Sequence, residues 1–140
     1  MIIFDTNFLI DLTSRNKKVH ERALKKYIEL STSGEILSTT FVSILELYKG
    51  AYRLTNTKAA IDLIYWITDL FVVIDFSDKY YDAYGQLSAQ LKKIGLPVGK
   101  FDELIIAMAI INEAKIVTND EGFQKVHRLN TYRNLELMTY

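Results

Sequence analysis

Short apolar runs alternate along this chain with longer stretches in which apolar residues recur every three to four positions. Ile2-Ile3-Phe4, Ile36-Leu37, Phe71 to Ile74, Ile116-Val117 and Leu135 to Met138 have the length and character of strands. Between and after them the periodicity predicts helices over about 6–13, 17–33, 40–54, 57–70, 78–94 and 101–114, with a shorter one near 121–128. Strands that alternate with helices imply an α/β fold. Its mostly parallel sheet of about five strands is flanked by helices on both faces, because each return crossover between parallel strands occupies one face. The single proline, Pro97, lies in Gly95-Leu96-Pro97-Val98-Gly99 and reads as a turn between two helices. No repeat or low-complexity linker interrupts the pattern, so residues 1–140 are read as one domain.

With 49% of its 140 residues apolar, the chain can bury one sizeable core. Its longest apolar run, Leu104 to Ile111, is far shorter than the roughly 20 residues a membrane-spanning helix needs, and no signal-peptide pattern opens the sequence. A soluble, cytoplasmic protein is expected. There is no cysteine, and His20 and His127 are the only histidines, so a bound metal would be held mainly by oxygen. Seventeen basic and seventeen acidic residues cancel, which argues against coating nucleic acid by bulk charge. Arg15, Lys17, Lys18, Arg22, Lys25 and Lys26 still form a local basic segment, with Lys92, Lys93 and Lys100 elsewhere. Such segments serve either as solvated helix faces or as phosphate contacts. Tyr48, Tyr52, Tyr65, Trp66, Tyr80, Tyr81 and Tyr84 are numerous enough for an aromatic-rich surface for partners, but their helical spacing is read first as core and none is assigned to an interface.

Four acids stand out by position. Asp5 directly follows the first strand, where ligand sites collect in an open parallel sheet, although an Asp there also caps the next helix. Asp120 holds the matching place after Ile116-Val117, where an Asx turn is the competing explanation. Asp102 opens a helix that is apolar all round, a place also favoured by the helix dipole. Glu46 lies between Leu45 and Leu47, with Lys49 as a surface partner or Ser43 as a capping-box partner in the bland reading. Each acid has a structural explanation alone, but their joint placement on one doubly wound sheet favours a site. Carboxylates about 5 Å apart at an effective dielectric of about 20 repel by about 3 kcal/mol per pair, so such a cluster needs protons or a cation. A hard divalent cation fits.

These residues resemble the PIN-domain family, and within it the VapC-type toxins of toxin–antitoxin pairs. Met1-Ile2-Ile3-Phe4-Asp5-Thr6-Asn7, followed by Leu9-Ile10-Asp11-Leu12, is similar to the family's first motif, and Glu46 with Gly50 to its second. Gly95 to Asp102 running into Leu104-Ile105-Ile106-Ala107-Met108-Ala109 resembles the third, and Val117-Thr118-Asn119-Asp120 with Phe123 the fourth. The resemblance implies a PIN-like α/β/α sandwich, metal-dependent RNA cleavage, a homodimer, and inhibition by a small antitoxin that covers or invades the active site. Gly122, where the family often has another Asp, and Glu103, where a small or apolar residue is commoner, depart from the pattern. They leave Glu121 or Glu103 as alternatives to Asp120.

Without a cysteine or a well-placed histidine, water is the expected nucleophile. Mg²⁺ or Mn²⁺ held by Asp5, Glu46, Asp102 and Asp120 would activate that water and stabilise the attacked phosphate. Thr6, Asn7 and Thr118 are expected to orient ligands or waters, and Arg15, Lys17, Lys18 and Lys100 to contact RNA phosphates. An RNA-processing nuclease outside any toxin system, and a binding module without catalysis, remain the alternatives. A phosphoacceptor receiver domain, suggested by Asp75 after Ile74, is disfavoured by the single acid after the first strand and the absence of a lysine after the last.

Overall fold

Ile2–Phe4 forms β1, the middle strand of a five-stranded sheet in the computed structural model, which describes all 140 residues. Its three side chains are fully buried, as a strand covered on both faces requires. The other strands, β2 (Leu37–Thr40), β3 (Val72–Ile74), β4 (Lys115–Val117) and β5 (Leu137–Met138), all run parallel to their neighbours in the order β3-β2-β1-β4-β5. Six α-helices connect them: α1 (Thr6–Leu12), α2 (Lys17–Ser31), α3 (Phe41–Ala51), α4 (Thr57–Leu70), α5 (Tyr80–Lys93) and α6 (Lys100–Ile111). Between β4 and β5 lie two 3-10 segments, Glu121–Arg128 and Asn130–Tyr132.

The chain travels outward from β1 through β2 to β3, then returns across the sheet to β4 and moves outward to β5. Right-handed crossovers place the helices of these two directions on opposite faces. Accordingly α1, α2 and α4 pack on the face carrying Ile2, Phe4 and Val117, while α5, α6 and the first 3-10 segment cover Ile3 and Ile116. The direction reverses between β1 and β4, so their carboxyl ends flank the crevice where such sheets bind ligands.

Strand β2 departs most from the sequence reading. Ile36, expected inside it, is 54% exposed, and the strand runs instead through Ser38, Thr39 and Thr40, all fully buried. Their hydroxyls find partners locally, which removes the cost of burial. Ser38 donates to the Ile2 carbonyl at 2.8 Å and Thr39 to the Phe4 carbonyl at 3.0 Å. Thr40 accepts the Ser43 amide at 3.2 Å and so caps α3, in place of the Ser43–Glu46 capping box considered from sequence. Thr39→Val should therefore fold identically but lower the urea midpoint by the equivalent of about 1 kcal/mol, the net worth of one hydrogen bond. An unchanged midpoint would remove this hydroxyl from the account of β2.

Smaller corrections concern ends and surfaces. Phe71 is the C-cap of α4 and precedes β3, Leu135 and Glu136 precede β5, and residues 121–128 form a 3-10 helix. Of the seven aromatics read as core only Tyr80 is buried, while Tyr52, Tyr65, Trp66 and Tyr81 are exposed. No helix is long and apolar enough to cross a membrane.

Candidate active site

The pairing of Phe4 with Val117 brings Asp5 and Thr118 out of β1 and β4 side by side. The Asp5 amide still reaches the Val117 carbonyl, at 3.2 Å, and the Thr118 hydroxyl donates to Asp5 Oδ2 at 2.6 Å. Asp5 Oδ1 accepts the Phe8 amide at 2.7 Å, so Asp5 caps α1 as well as facing the crevice. Both carboxyl oxygens are thus fixed in direction, and the residue is only 2% exposed. Burial pushes its pKa from 3.8 up to about 6, against the opposing hydrogen bonds from Thr118 and Phe8 and with help from the charges of Asp120 and Asp102.

Thr118 also accepts the Asp120 amide, at 2.9 Å, and so ties the two acid-bearing loops together. Asp120 Oδ1 accepts the Gly122 amide at 2.7 Å, the Asx-type cap expected of a residue at this place. Glu46 projects from the second turn of α3 and accepts a hydrogen bond from the Thr6 hydroxyl. This bond takes the place of the Lys49 ion pair considered from sequence. Asn7, the other expected orienting group, is exposed on α1.

Asp102 lies in the first turn of α6, but Gly99 is the N-cap there and no side chain caps the helix. Glu103 performs the local backbone work, accepting the Val98 amide at 3.2 Å while nearly buried. That bond commits Glu103 to the turn before α6, and Glu121 is exposed. Capping therefore does not explain Asp102. Its carboxyl is held up from 3.8 to about 6, first by burial and then by the charges of Asp120, Glu46 and Glu103.

The acids thus sense one another: Asp5 with Asp102 and Asp120, and Asp102 with Asp120 and Glu46. The sequence suggested that the four acids converge on one site, with Asp120 binding directly or through water, whereas no three of these carboxylates lie close enough to hold one ion directly between them. The ring is looser than expected. An all-oxygen donor set in which burial and neighbouring acids raise the pKa of Asp5 and Asp102 fits a hard divalent cation, and magnesium typically takes only one or two carboxylates and keeps several waters.

Two glycine backbones abut the acids, a constraint the sequence did not reveal. A Cβ at Gly99 would lie 2.9 Å from Asp102 Oδ2, and one at Gly122 would lie 2.9 Å from Asp120 Oδ1. Beside the acids runs a groove of about 660 Å³ between α1, α3 and α4, bordered by Glu46 and Arg15 and floored by Leu47, Ile64 and Ile67. Arg15, Lys17, Lys18 and Lys100 are exposed, and Lys17 pairs loosely with Glu21. Arg22 turns instead toward Asp11. Asp75 lies at the end of edge strand β3, exposed, with its carboxylate accepting the Phe76 amide, two strands from the β1–β4 crevice.

The fold and its acids define a doubly wound α/β protein with an acidic crevice at the topological switch point. The chain belongs to the PIN domain family, whose model matches residues 2–129. It is similar to ribonuclease VapC1 of Haemophilus influenzae strain R2866, at 27% identity over 125 residues covering 89% of this chain and 90% of that protein. Similarity to the tRNA(fMet)-specific endonuclease VapC of Salmonella typhimurium strain LT2 is 27% over 118 residues, covering 84% and 85%. Among solved structures, VapBC2 from Rickettsia felis bound to a DNA fragment from their promoter matches with a TM-score of 0.84 at 25% identity, covering 99% of this chain and 98% of that one.

Proposed function

We propose that this protein is a divalent-metal-dependent endoribonuclease and the toxin of a toxin–antitoxin pair. The observation that carries the reading is Asp102, a partly buried acid with no capping role whose carboxyl is pushed up by burial and by its acidic neighbours. Membership of the PIN domain family and similarity to VapC ribonucleases support it.

In this reading Asp5, Glu46, Asp102 and Asp120 hold Mg²⁺ or Mn²⁺, partly through water. When bound, the cation supplies the positive charge that activates water and stabilises the attacked phosphodiester. Thr118 aims the Asp5 carboxylate and the Asp120 loop, and Thr6 aims Glu46. Exposed Arg15, Lys17, Lys18 and Lys100 supply phosphate contacts around the acidic centre. The apolar groove takes a segment of a small antitoxin, whose basic side chain would meet Glu46 at the border of the groove. The exposed Tyr52, Tyr65 and Trp66 are the apolar surface for a homodimer.

The direct test is cleavage of a structured RNA by purified protein with Mg²⁺, Mn²⁺ or EDTA over a range of salt. Cleavage that needs the metal and weakens with salt is expected; metal-independent cleavage would remove the metal centre from the reaction, and no cleavage at all would remove the nuclease reading.

Gly99→Ala and Gly122→Ala provide a sharper check of the geometry. The clashing atom at each position is the tip of a flexible carboxylate, so the fold should tolerate the methyl while the acid is displaced. Cleavage should drop by about 10²-fold, the usual consequence of misplacing a reacting group by about 1 Å. Wild-type rates in both variants would show that neither close approach matters.

A further inference from the structure

We propose that Asn119 and Tyr140 form a clamp that sets the position of the Asp120 loop relative to Asp5, and so act as positioning residues for the metal centre. The inference rests on the metal-dependent nuclease reading above. Its basis is a set of contacts that lie outside the acids themselves. Beyond β4 the backbone pairing with β5 ends with the Thr118 amide on the Met138 carbonyl, at 2.9 Å. The Asn119 side chain then continues the ladder. Its Nδ2 donates to the Tyr140 backbone oxygen at 3.0 Å, and its Oδ1 accepts the Tyr140 amide at 3.1 Å.

The Tyr140 side chain carries this connection to the other acid-bearing segment. Its ring meets Phe8 edge-on at 4.7 Å between centroids, and its hydroxyl donates to Asp11 Oδ2 at 3.0 Å. Arg22 stacks over the ring at 5.5 Å and pairs with the same Asp11 oxygen at 3.6 Å. Phe8 is the residue whose amide holds Asp5 Oδ1. One residue therefore touches the loop that precedes Asp120 through its backbone and the helix that Asp5 caps through its side chain. Burial, the hydrogen bond to Asp11 and the nearby Asp5 charge all raise the Tyr140 pKa, so its hydroxyl keeps its proton and remains a donor at neutral pH.

Two properties separate this cluster from ordinary packing. Asn119 is exposed and fills no core, yet it makes a two-point bond that only a carboxamide matched to an extended backbone can make. Arg22, although still exposed, is directed over the Tyr140 ring and toward Asp11, so a charge of α2 is engaged at this cluster. Tyr140 also lies beyond residue 129, where the family model's match stops.

The test compares Asn119→Ala, Tyr140→Ala, Tyr140→Phe and Leu30→Ala. Leu30 is a buried residue of α2 that makes none of the clamp's hydrogen bonds, and its truncation supplies a loss of core packing for comparison. Mn²⁺ binding is followed by electron paramagnetic resonance, and amide hydrogen exchange at Phe8 and Gly122 reports the carboxylates of Asp5 and Asp120 without metal. In the two clamp-breaking alanine variants Mn²⁺ binding should weaken by about tenfold or more, as for other groups that hold metal ligands in place, and exchange at both amides should quicken. Tyr140→Phe, which keeps the ring contact and the backbone bonds, should fall between them and wild type. The clamp is refuted if the alanine variants bind Mn²⁺ as wild type does, or if Leu30→Ala weakens binding equally. A wild-type protein that binds no Mn²⁺ would instead refute the metal-centre reading, and the clamp with it.

Discussion

Replacing Asp5 by Asn is expected to reduce metal-dependent RNA cleavage by about 10³-fold, the equivalent of about 4 kcal/mol of lost transition-state stabilisation, without destabilising the metal-free protein. The two halves of this result have one cause. Asp5 is 2% exposed and its carboxyl is shifted from 3.8 to about 6. At neutral pH its charge therefore opposes folding by about 3 kcal/mol. Asn removes that charge but can accept only one of the two hydrogen bonds that Thr118 and Phe8 offer, which returns about 1 kcal/mol of the gain. A melting temperature several degrees above wild type is expected. Single-turnover cleavage at saturating Mn²⁺, beside a thermal melt in EDTA, measures both. An active variant would remove Asp5 from the metal centre, and a variant far less stable than wild type would show that Asp5 serves the fold.

The second large effect is a flattening of the pH dependence of stability on adding metal. Asp5 and Asp102 both have folded pKa values raised from 3.8 to about 6. Between about pH 4 and pH 6 the folded state therefore binds more protons than the unfolded one, and metal-free stability falls as pH rises through this window. Above it the penalty is complete. Asp102 contributes less than Asp5 because it is partly exposed and its charge is better screened. Glu35, whose pKa is lowered from 4.5 by hydrogen bonds from Lys115 and the terminal amine, acts in the opposite direction but only at lower pH.

Divalent cations bind the deprotonated acids, so Mn²⁺ should raise the melting temperature strongly at pH 7.5 and weakly at pH 5. At a concentration of about 100 times Kd the stabilisation is about 2.7 kcal/mol, enough to cancel most of the penalty. Calorimetry at the two pH values, with and without Mn²⁺, checks the sign. A metal effect of equal size at both would mean that the ion binds elsewhere.

Much of the architecture was legible in the sequence because secondary structure and sheet class depend on local periodicity. Ile2-Ile3-Phe4 reads as a buried strand from its own residues, and Leu104 to Ile111 as a buried helix, whatever lies around them. β2 was misplaced because Ser38, Thr39 and Thr40 look polar in isolation. Their burial depends on the carbonyls of β1, about 35 positions earlier, and on a turn that only the folded α3 provides. The exposed Tyr52, Tyr65 and Trp66 share the same explanation: helical spacing tells which residues share a face, while the positions of α3 and α4 decide whether that face is covered.

For the site, the sequence by itself determined which side chains can do the chemistry. It supplies acids after β1 and β4 and at the start of α6, one acid on α3, and no cysteine as a competing ligand or nucleophile. Only the tertiary structure decided what each acid is free to do. Asp5 and Asp120 serve as caps while facing the crevice, Glu103 is committed to the Val98 amide, and Asp102 is left without such a task. The same holds for Asn119 and Tyr140, whose relation to the acids follows from contacts between separate segments, whereas Gly99 and Gly122 abut acids two or three residues away through the local shape of their turns. Residue type and spacing are local and can be read along the chain, whereas burial, charge–charge distance and hydrogen-bond occupancy are properties of segments brought together from opposite ends of it.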